Sequence, residues 1–232
     1  KRPFYSRIRL PEYLAGKIGA GDLVIRSREW FEERRVELRL STPVEGLDTA
    51  SRTVTLFSGE VLSYDALLLA TGARASIPPF PGRDLDGVIS IRTVEDTEIL
   101  ASLAVDAKGL VAIGGGVLGL EMAAALRALG PSVTVVEIFP WLLPRQLDRA
   151  GGEVLQKILE SRGLEFRLDA KIASLEGAGK VSTVKLEDGE AIETAGVLVS
   201  AGIAPEVGLA RDASIEGNRG GVIDDRAGTS AP

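Results

Sequence analysis

The stretch LVAIGGGVLGLE, residues 110–121, limits the possible folds of this chain more than any other. A short apolar run ends in Gly114, Gly115 and Gly116. VLGLEMAAALRALG follows, rich in good helix formers and closed by Gly130. A strand that turns on glycine into a helix brings backbone N–H groups, and the positive end of the helix dipole, up to an anion. SVTVVE comes next, β-branched and strand-like, and ends on an acid, Glu137. Gly114 to Glu137 spans 23 positions, close to the spacing of about 20 between a phosphate-binding glycine turn and a ribose-binding acid.

The residue types follow from that geometry. Gly114 allows the tight turn, Gly116 leaves room for a pyrophosphate against the backbone, and Gly119 lets the helix close on the strand. With Gly115, Val117 and Leu118 they form a candidate cofactor-binding turn. Glu137 suits the hydroxyls of an adenosine ribose and repels a 2′-phosphate, and no Lys or Arg follows it until Arg145. NADH is therefore favoured over NADPH. Glu121, early in the helix, either complements the dipole or serves the site, and both readings stand.

The surroundings extend the pattern. LDRAGGEVLQKILESRG reads as an amphipathic helix with Leu155, Ile158 and Leu159 on one face, and LEFRL as a further strand. This βαβαβ run predicts an α/β fold, a doubly wound parallel sheet. Beyond it, residues 172–202 alternate like a small antiparallel meander leading into a buried strand, GVLVSAG. Residues 44–72 have the same plan, ending in the apolar strand candidate LLLATG. Gly59 and Gly189, and likewise Gly72 and Gly202, lie 130 positions apart. A repeat of that length implies two copies of one domain plan. The glycine turn that would belong to the first copy falls before residue 1. Between the copies, SIPPFPG is a proline-rich connection, Thr93 and Asp96 look like a capping box, and 93–108 is the expected hinge.

What is missing narrows the chemistry. The chain has no cysteine and no histidine, so thiol nucleophiles, Cys/His metal sites and His-based triads are excluded. No oxygen-only metal loop is visible either, and redox chemistry would belong to a bound cofactor. A net charge of −6 argues against nucleic acid as a partner. No apolar run is long enough to span a membrane, and a cytoplasmic location is the default expectation. The chain starts on Lys1 and stops at AGTSAP, so a fragment is expected.

YDALLLATGA with IPPFPG, VAIGGGVLGLE, VVEIFPWLLPRQLD, and SAGIAPEVGLA with GVIDDRAGTSAP together resemble the pyridine nucleotide-disulfide oxidoreductases, flavoprotein reductases with two dinucleotide-binding domains. The likeness is greatest to the NADH-dependent rubredoxin reductase and nitrite reductase flavin-domain branch, and it runs over essentially the whole chain. It implies that an FAD-binding domain is interrupted by an NADH-binding domain of related fold. Residues 1–106 would be the later part of the FAD domain, 107–217 the NADH domain, and 218–232 a return to the FAD domain. Gly114, Gly116, Gly119 and Glu137 would bind NADH, Glu121 would lie near the nicotinamide, and Gly202, Ile203 and Pro205 would line its side. Ala70, Thr71 and Gly72 would touch FAD, and Arg7 would flank the flavin.

The resemblance further implies hydride transfer from NADH to FAD and electron transfer onward to rubredoxin, ferredoxin or a fused or partner redox domain. The family's first glycine turn and its later Gly-Asp FAD motif are absent, so this chain alone is expected to bind FAD poorly and to be nearly inactive. The redox cysteine of some branches is replaced by the Ile8-Arg9-Leu10 segment, and Pro11-Glu12 stands where others carry Ser-Lys. No catalytic residue is assigned. The rival reading is a stand-alone NAD(H)-binding or sensing module. A methyltransferase with the same glycine turn is disfavoured by the second meander and by LLPRQLD.

Overall fold

The computed structural model describes residues 2–231. Chain contacts gather them into two compact units, one made of residues 5–25 and 75–202, the other of residues 2–4, 26–74 and 203–231. These breaks fall elsewhere than the expected domain limits at 106/107 and 217/218.

The larger unit is built on a five-stranded, wholly parallel sheet. Its strands lie in the spatial order Val88–Ser90, Val197–Val199, Gly109–Ile113, Ser132–Val136 and Leu164–Arg167. A parallel sheet is covered on both faces, so its strands read as continuous apolar runs rather than alternations. Leu110, Val111, Ala112, Val133, Val135, Val197 and Leu198 are accordingly all buried. The helix Val117–Ala128 lays Leu120, Met122, Ala123 and Leu126 into that core. Helix Arg149–Glu160 is capped by Asp148, whose carboxylate accepts from the Gly151 N–H at 2.8 Å. Leu159 is buried as expected, whereas Ile158 is half exposed, because the contact stripe of this helix is narrower than its apolar content.

Residues 93–108 are not a hinge. Thr93 and Asp96 form the capping box, with Asp96 N–H donating to Thr93 Oγ1 at 3.1 Å and Thr93 N–H to Asp96 Oδ2 at 2.7 Å. The helix they start, Val94–Ala104, buries Val94, Leu100 and Ala104 in the core. It is the packed continuation of the Val88–Ser90 strand, and burying its apolar face fixes it in the unit. Leu10–Leu14, a short helix from the N-terminal segment, joins the same core through Leu10 and Leu14, with Leu23 beside them.

The two meanders match closely. Val44–Asp48, Thr53–Leu56 and Val61–Ser63 pair antiparallel in sequence order, as do Ile172–Glu176, Thr183–Leu186 and Ala191–Glu193. The second turn is the same in both, with Leu56 N–H to Glu60 O at 2.9 Å and Leu186 N–H to Glu190 O at 2.9 Å. Gly59 and Gly189 occupy the left-handed region in these turns, at φ +86° and +95°.

After the meanders the copies diverge. Val197–Val199 is a central strand, paired on both sides, but the corresponding residues 67–69 form no strand. The expectation of a strand there fails for lack of neighbours. A strand exists by its ladder hydrogen bonds, and none is formed by this segment among the described residues. Leu67 is 41 % and Leu68 85 % exposed.

Candidate functional site

The larger unit contains a cavity of about 540 Å³ at the carboxyl edge of its sheet, where Ile113, Val136 and the Ser200 segment end three neighbouring strands. Ligands of open α/β sheets bind at that edge. Gly114, Gly115 and Gly116 form one wall and Glu137 another.

Each glycine has its own reason to be there. Gly114 sits at φ +108°, donates its N–H to Val136 O at 2.8 Å, and leaves no room for a Cβ, which would lie 2.4 Å from Ser200 O. Gly119 packs the helix onto the turn, since a Cβ on it would lie 2.0 Å from Gly114 O. Gly116 differs from both. It is the N-cap of helix Val117–Ala128, has an ordinary extended backbone, and has nothing within 4 Å of where a Cβ would project. Neither the turn nor the fold needs glycine at 116. The space in front of it is what a closely approaching ligand requires.

The helix start supplies the donors. No side chain caps it, and the first N–H groups of any α-helix lack intrahelical partners. An anion in front of Gly116 would meet those donors and the dipole together.

Glu137 is buried, 8 % exposed, at the end of the Ser132–Val136 strand. Its Oε2 accepts from the Gly115 N–H at 2.5 Å and its Oε1 from the Phe139 N–H at 3.0 Å. Both bonds fix the carboxylate against the glycine turn, and a carboxylate oxygen that accepts one N–H retains a lone pair for a ribose hydroxyl.

The remaining candidates separate. Val117 and Leu118 are on the exposed side of the first helical turn, and Glu121, also exposed, lies one turn further on. Gly202 follows the cavity-lining Ser200 and Ala201 at the edge of the larger unit. Arg7 is in a 3₁₀ turn of that unit, away from the cavity lining. Ala70, Thr71, Gly72, Ile203 and Pro205 belong to the smaller unit, where Thr71 Oγ1 donates to Glu206 O at 2.6 Å and Glu206 N–H to Gly72 O at 2.9 Å.

One wall of the cavity has no counterpart in the sequence motifs. Asp169 N–H donates to Phe139 O and Ala170 N–H to Glu137 O, both at 3.0 Å, stitching the turn before the second meander to the residues after the acid strand. Lys171 and Glu187 thereby line the cavity, joined by Arg145 and Gln146 from another turn. These are long-range backbone bonds between loops, and no local motif announces them. Among the described residues, no helix is long and apolar enough to cross a membrane.

A parallel sheet with a glycine turn, an uncapped helix start and an acid ending the next strand defines a dinucleotide-binding α/β protein. A family model described as pyridine nucleotide-disulphide oxidoreductase matches residues 3–232, and the chain belongs to that family. It is 35 % identical over 99 % of its length to a nitrite reductase [NAD(P)H] of Bacillus subtilis (strain 168), covering 29 % of that protein. It is 34 % identical over 94 % of its length to a rubredoxin-NAD(+) reductase of Ectopseudomonas oleovorans, covering 57 %. Among solved structures, the ferredoxin reductase for the CYP199A2 system of Rhodopseudomonas palustris superposes with a TM-score of 0.93 at 30 % identity, over all of this chain and 58 % of that one. The chain thus spans less than about 60 % of each of these relatives.

Proposed function

We propose that the larger unit binds NADH along the carboxyl edge of its sheet, and that the whole protein is a flavoprotein reductase. The observation that carries this reading is the combination of Gly116, which has open space before it, with Glu137, held on Gly115 at the edge of the same cavity. The pyrophosphate lies against Gly116 and the first amides of the helix, and the adenosine ribose donates to Glu137. Gly119 keeps the helix start within reach of the turn. Glu121, Gly202, Ile203 and Pro205 serve the nicotinamide half.

FAD, when bound, supplies the hydride acceptor and passes electrons on singly or in pairs. The names of the relatives support rubredoxin or ferredoxin as the onward acceptor, and a fused or partner redox domain is the other option, with Arg7, Ala70, Thr71 and Gly72 on the flavin side. In this assignment 1–106 and 218–232 serve FAD and 107–217 serves NADH. The work that the cavity's geometry supports best is the binding and placement of NADH by the larger unit. Hydride transfer between two bound rings is a matter of placement, and it needs no general acid or base from a chain that lacks histidine.

The test is a visible absorption spectrum of the purified chain together with an NADH titration followed by nucleotide fluorescence. A colourless chain that binds NADH is the expected result. Flavin bands would show that FAD is held without the missing motif. Failure to bind NADH, or preference for S-adenosylmethionine, would sink the reading.

A further inference from the structure

We infer that Arg167 and Glu190 are positioning residues for nucleotide binding. Their side chains form a strut that holds the turn of the second meander, and with it one wall of the cavity, against the strand leading to Glu137. The inference rests on the NADH reading above and deepens it, since neither residue is in the cavity lining.

Arg167 ends the edge strand Leu164–Arg167, in register with Val136. Its carbonyl accepts the Glu137 N–H at 2.8 Å, which ties its backbone to the acid. Its Nε donates to both carboxylate oxygens of Glu190, at 2.8 and 3.0 Å. Glu190 lies in the turn between Thr183–Leu186 and Ala191–Glu193, and its carbonyl accepts the Leu186 N–H at 2.9 Å. That turn also carries Glu187, which lines the cavity and donates its N–H to Lys171 O at 2.9 Å. Lys171 follows Ala170, whose N–H returns to the Glu137 carbonyl at 3.0 Å. The circuit is closed. It runs from Glu137 through Arg167, Glu190, Glu187 and Lys171 back to Glu137. The other links are backbone bonds, so the Arg167–Glu190 contact is where side-chain chemistry sets its span.

The pair is not what keeps the meander on the sheet. Leu175, Val184 and Leu186 are buried in one cluster with Val111, Val136 and Val197, and that apolar layer supplies the attachment. The Arg167 and Glu190 side chains are each 37 % exposed, and an ion pair that accessible adds little to stability. Apolar packing, however, is non-directional. A planar guanidinium has donors along fixed lines, so it fixes the distance and angle of the carboxylate it meets. A binding wall has to be held within about half an ångström of its productive place, and the strut supplies that precision at the rim.

The experiment titrates NADH and ADP-ribose, by calorimetry, into the 232-residue chain and into Arg167→Met, Glu190→Ala and the double variant. NADH is an anion, so charge alone predicts opposite shifts: weaker binding without Arg167 and tighter binding without Glu190. Loss of a strut predicts weaker binding in both. The NADH dissociation constant is expected to rise about fivefold or more in each single variant, within the range for residues coupled in one network. The double variant should bind no more weakly than the weaker single, because either change breaks the same link. ADP-ribose, which lacks the nicotinamide, should show the same rise, since the strut acts on the Glu137 side of the cavity. Urea midpoints should stay near the parent value. Binding within about twofold of the parent in Glu190→Ala, or opposite shifts in the two single variants, would overturn the inference while NADH binding stands. A weakening matched by a fall in the urea midpoint would make the pair merely structural and overturn it as well. Failure of the parent chain to bind NADH or ADP-ribose would overturn the NADH reading itself, and the inference with it.

Discussion

Gly116 and Gly119 are three residues apart in one motif, and the structure predicts opposite consequences for replacing them. In Gly119→Ala the new Cβ would lie 2.0 Å from Gly114 O and 3.3 Å from Ser200 Cβ. Ordinary contact lies well beyond 3 Å, so the helix start must retreat by more than an ångström from a turn that is itself hydrogen-bonded to Val136. Overpacking of that kind costs about 1–3 kcal/mol, and about 2 kcal/mol corresponds to a loss of roughly 4–8 °C in Tm for a chain of this size. Gly116→Ala meets nothing within 4 Å, at a backbone conformation open to any residue. Its stability should stay within about 0.5 kcal/mol of the parent. Its methyl group, however, fills the space through which a pyrophosphate approaches. Losing even one hydrogen bond to a charged group costs about 1.5–3 kcal/mol, so NADH should bind roughly 10- to 150-fold more weakly. Urea denaturation and NADH titration on the two variants decide the matter. If Gly116→Ala unfolds as readily as Gly119→Ala, or binds NADH like the parent, the division of labour within the turn is wrong.

Three further outcomes are expected. Thr93→Ala should remove the capping box of helix Val94–Ala104 and lower stability by about 1 kcal/mol; no change in the urea midpoint would mean that the cap is redundant. Gly59→Ala and Gly189→Ala each force a Cβ into the left-handed region with open space around it, so both should destabilise by about 1–2 kcal/mol, and unequal costs would mean that the two meanders are alike only in outline. Asp48 accepts N–H bonds from Ser51 and Ala50, and the Ser51 bond foremost holds its carboxyl below the ordinary aspartate range. Its contribution to the first meander should therefore be complete above the ordinary aspartate midpoint and be lost progressively as pH falls from there through the lowered value. An NMR titration of that side chain with an ordinary midpoint would contradict the turn.

What was legible in the sequence was what is local. The glycine turn, the capping box, the stop glycines and the alternation of the meanders are each set by neighbours within a few positions, where residue type and backbone geometry are directly coupled. The parallel sheet followed from the βαβ rhythm. Three things escaped. The hinge expected at 93–108 is a packed helix, because a capping box marks where a helix starts and says nothing of what it packs against. The helix Leu10–Leu14 joins the larger unit through Leu10 and Leu14, across a long stretch of intervening chain. The wall with Lys171 and Glu187 is assembled by backbone bonds between the turn at 169–170 and the residues at 137–139. Each is decided by tertiary contact, which leaves no periodicity to read.

The divergence between the two copies bears on how this chain behaves in a tube. Val197–Val199 has its polar backbone satisfied on both sides, whereas residues 67–69 show water an apolar segment with no ladder among the described residues. Phe57 and Val61, in the meander just before it, are also largely exposed. Short, uncharged, β-prone segments of this kind are templates for intermolecular pairing. Concentrated solutions of the chain should therefore self-associate through residues 66–70 first. A Leu68→Lys change, at the most exposed of these leucines, should delay that without touching the nucleotide cavity.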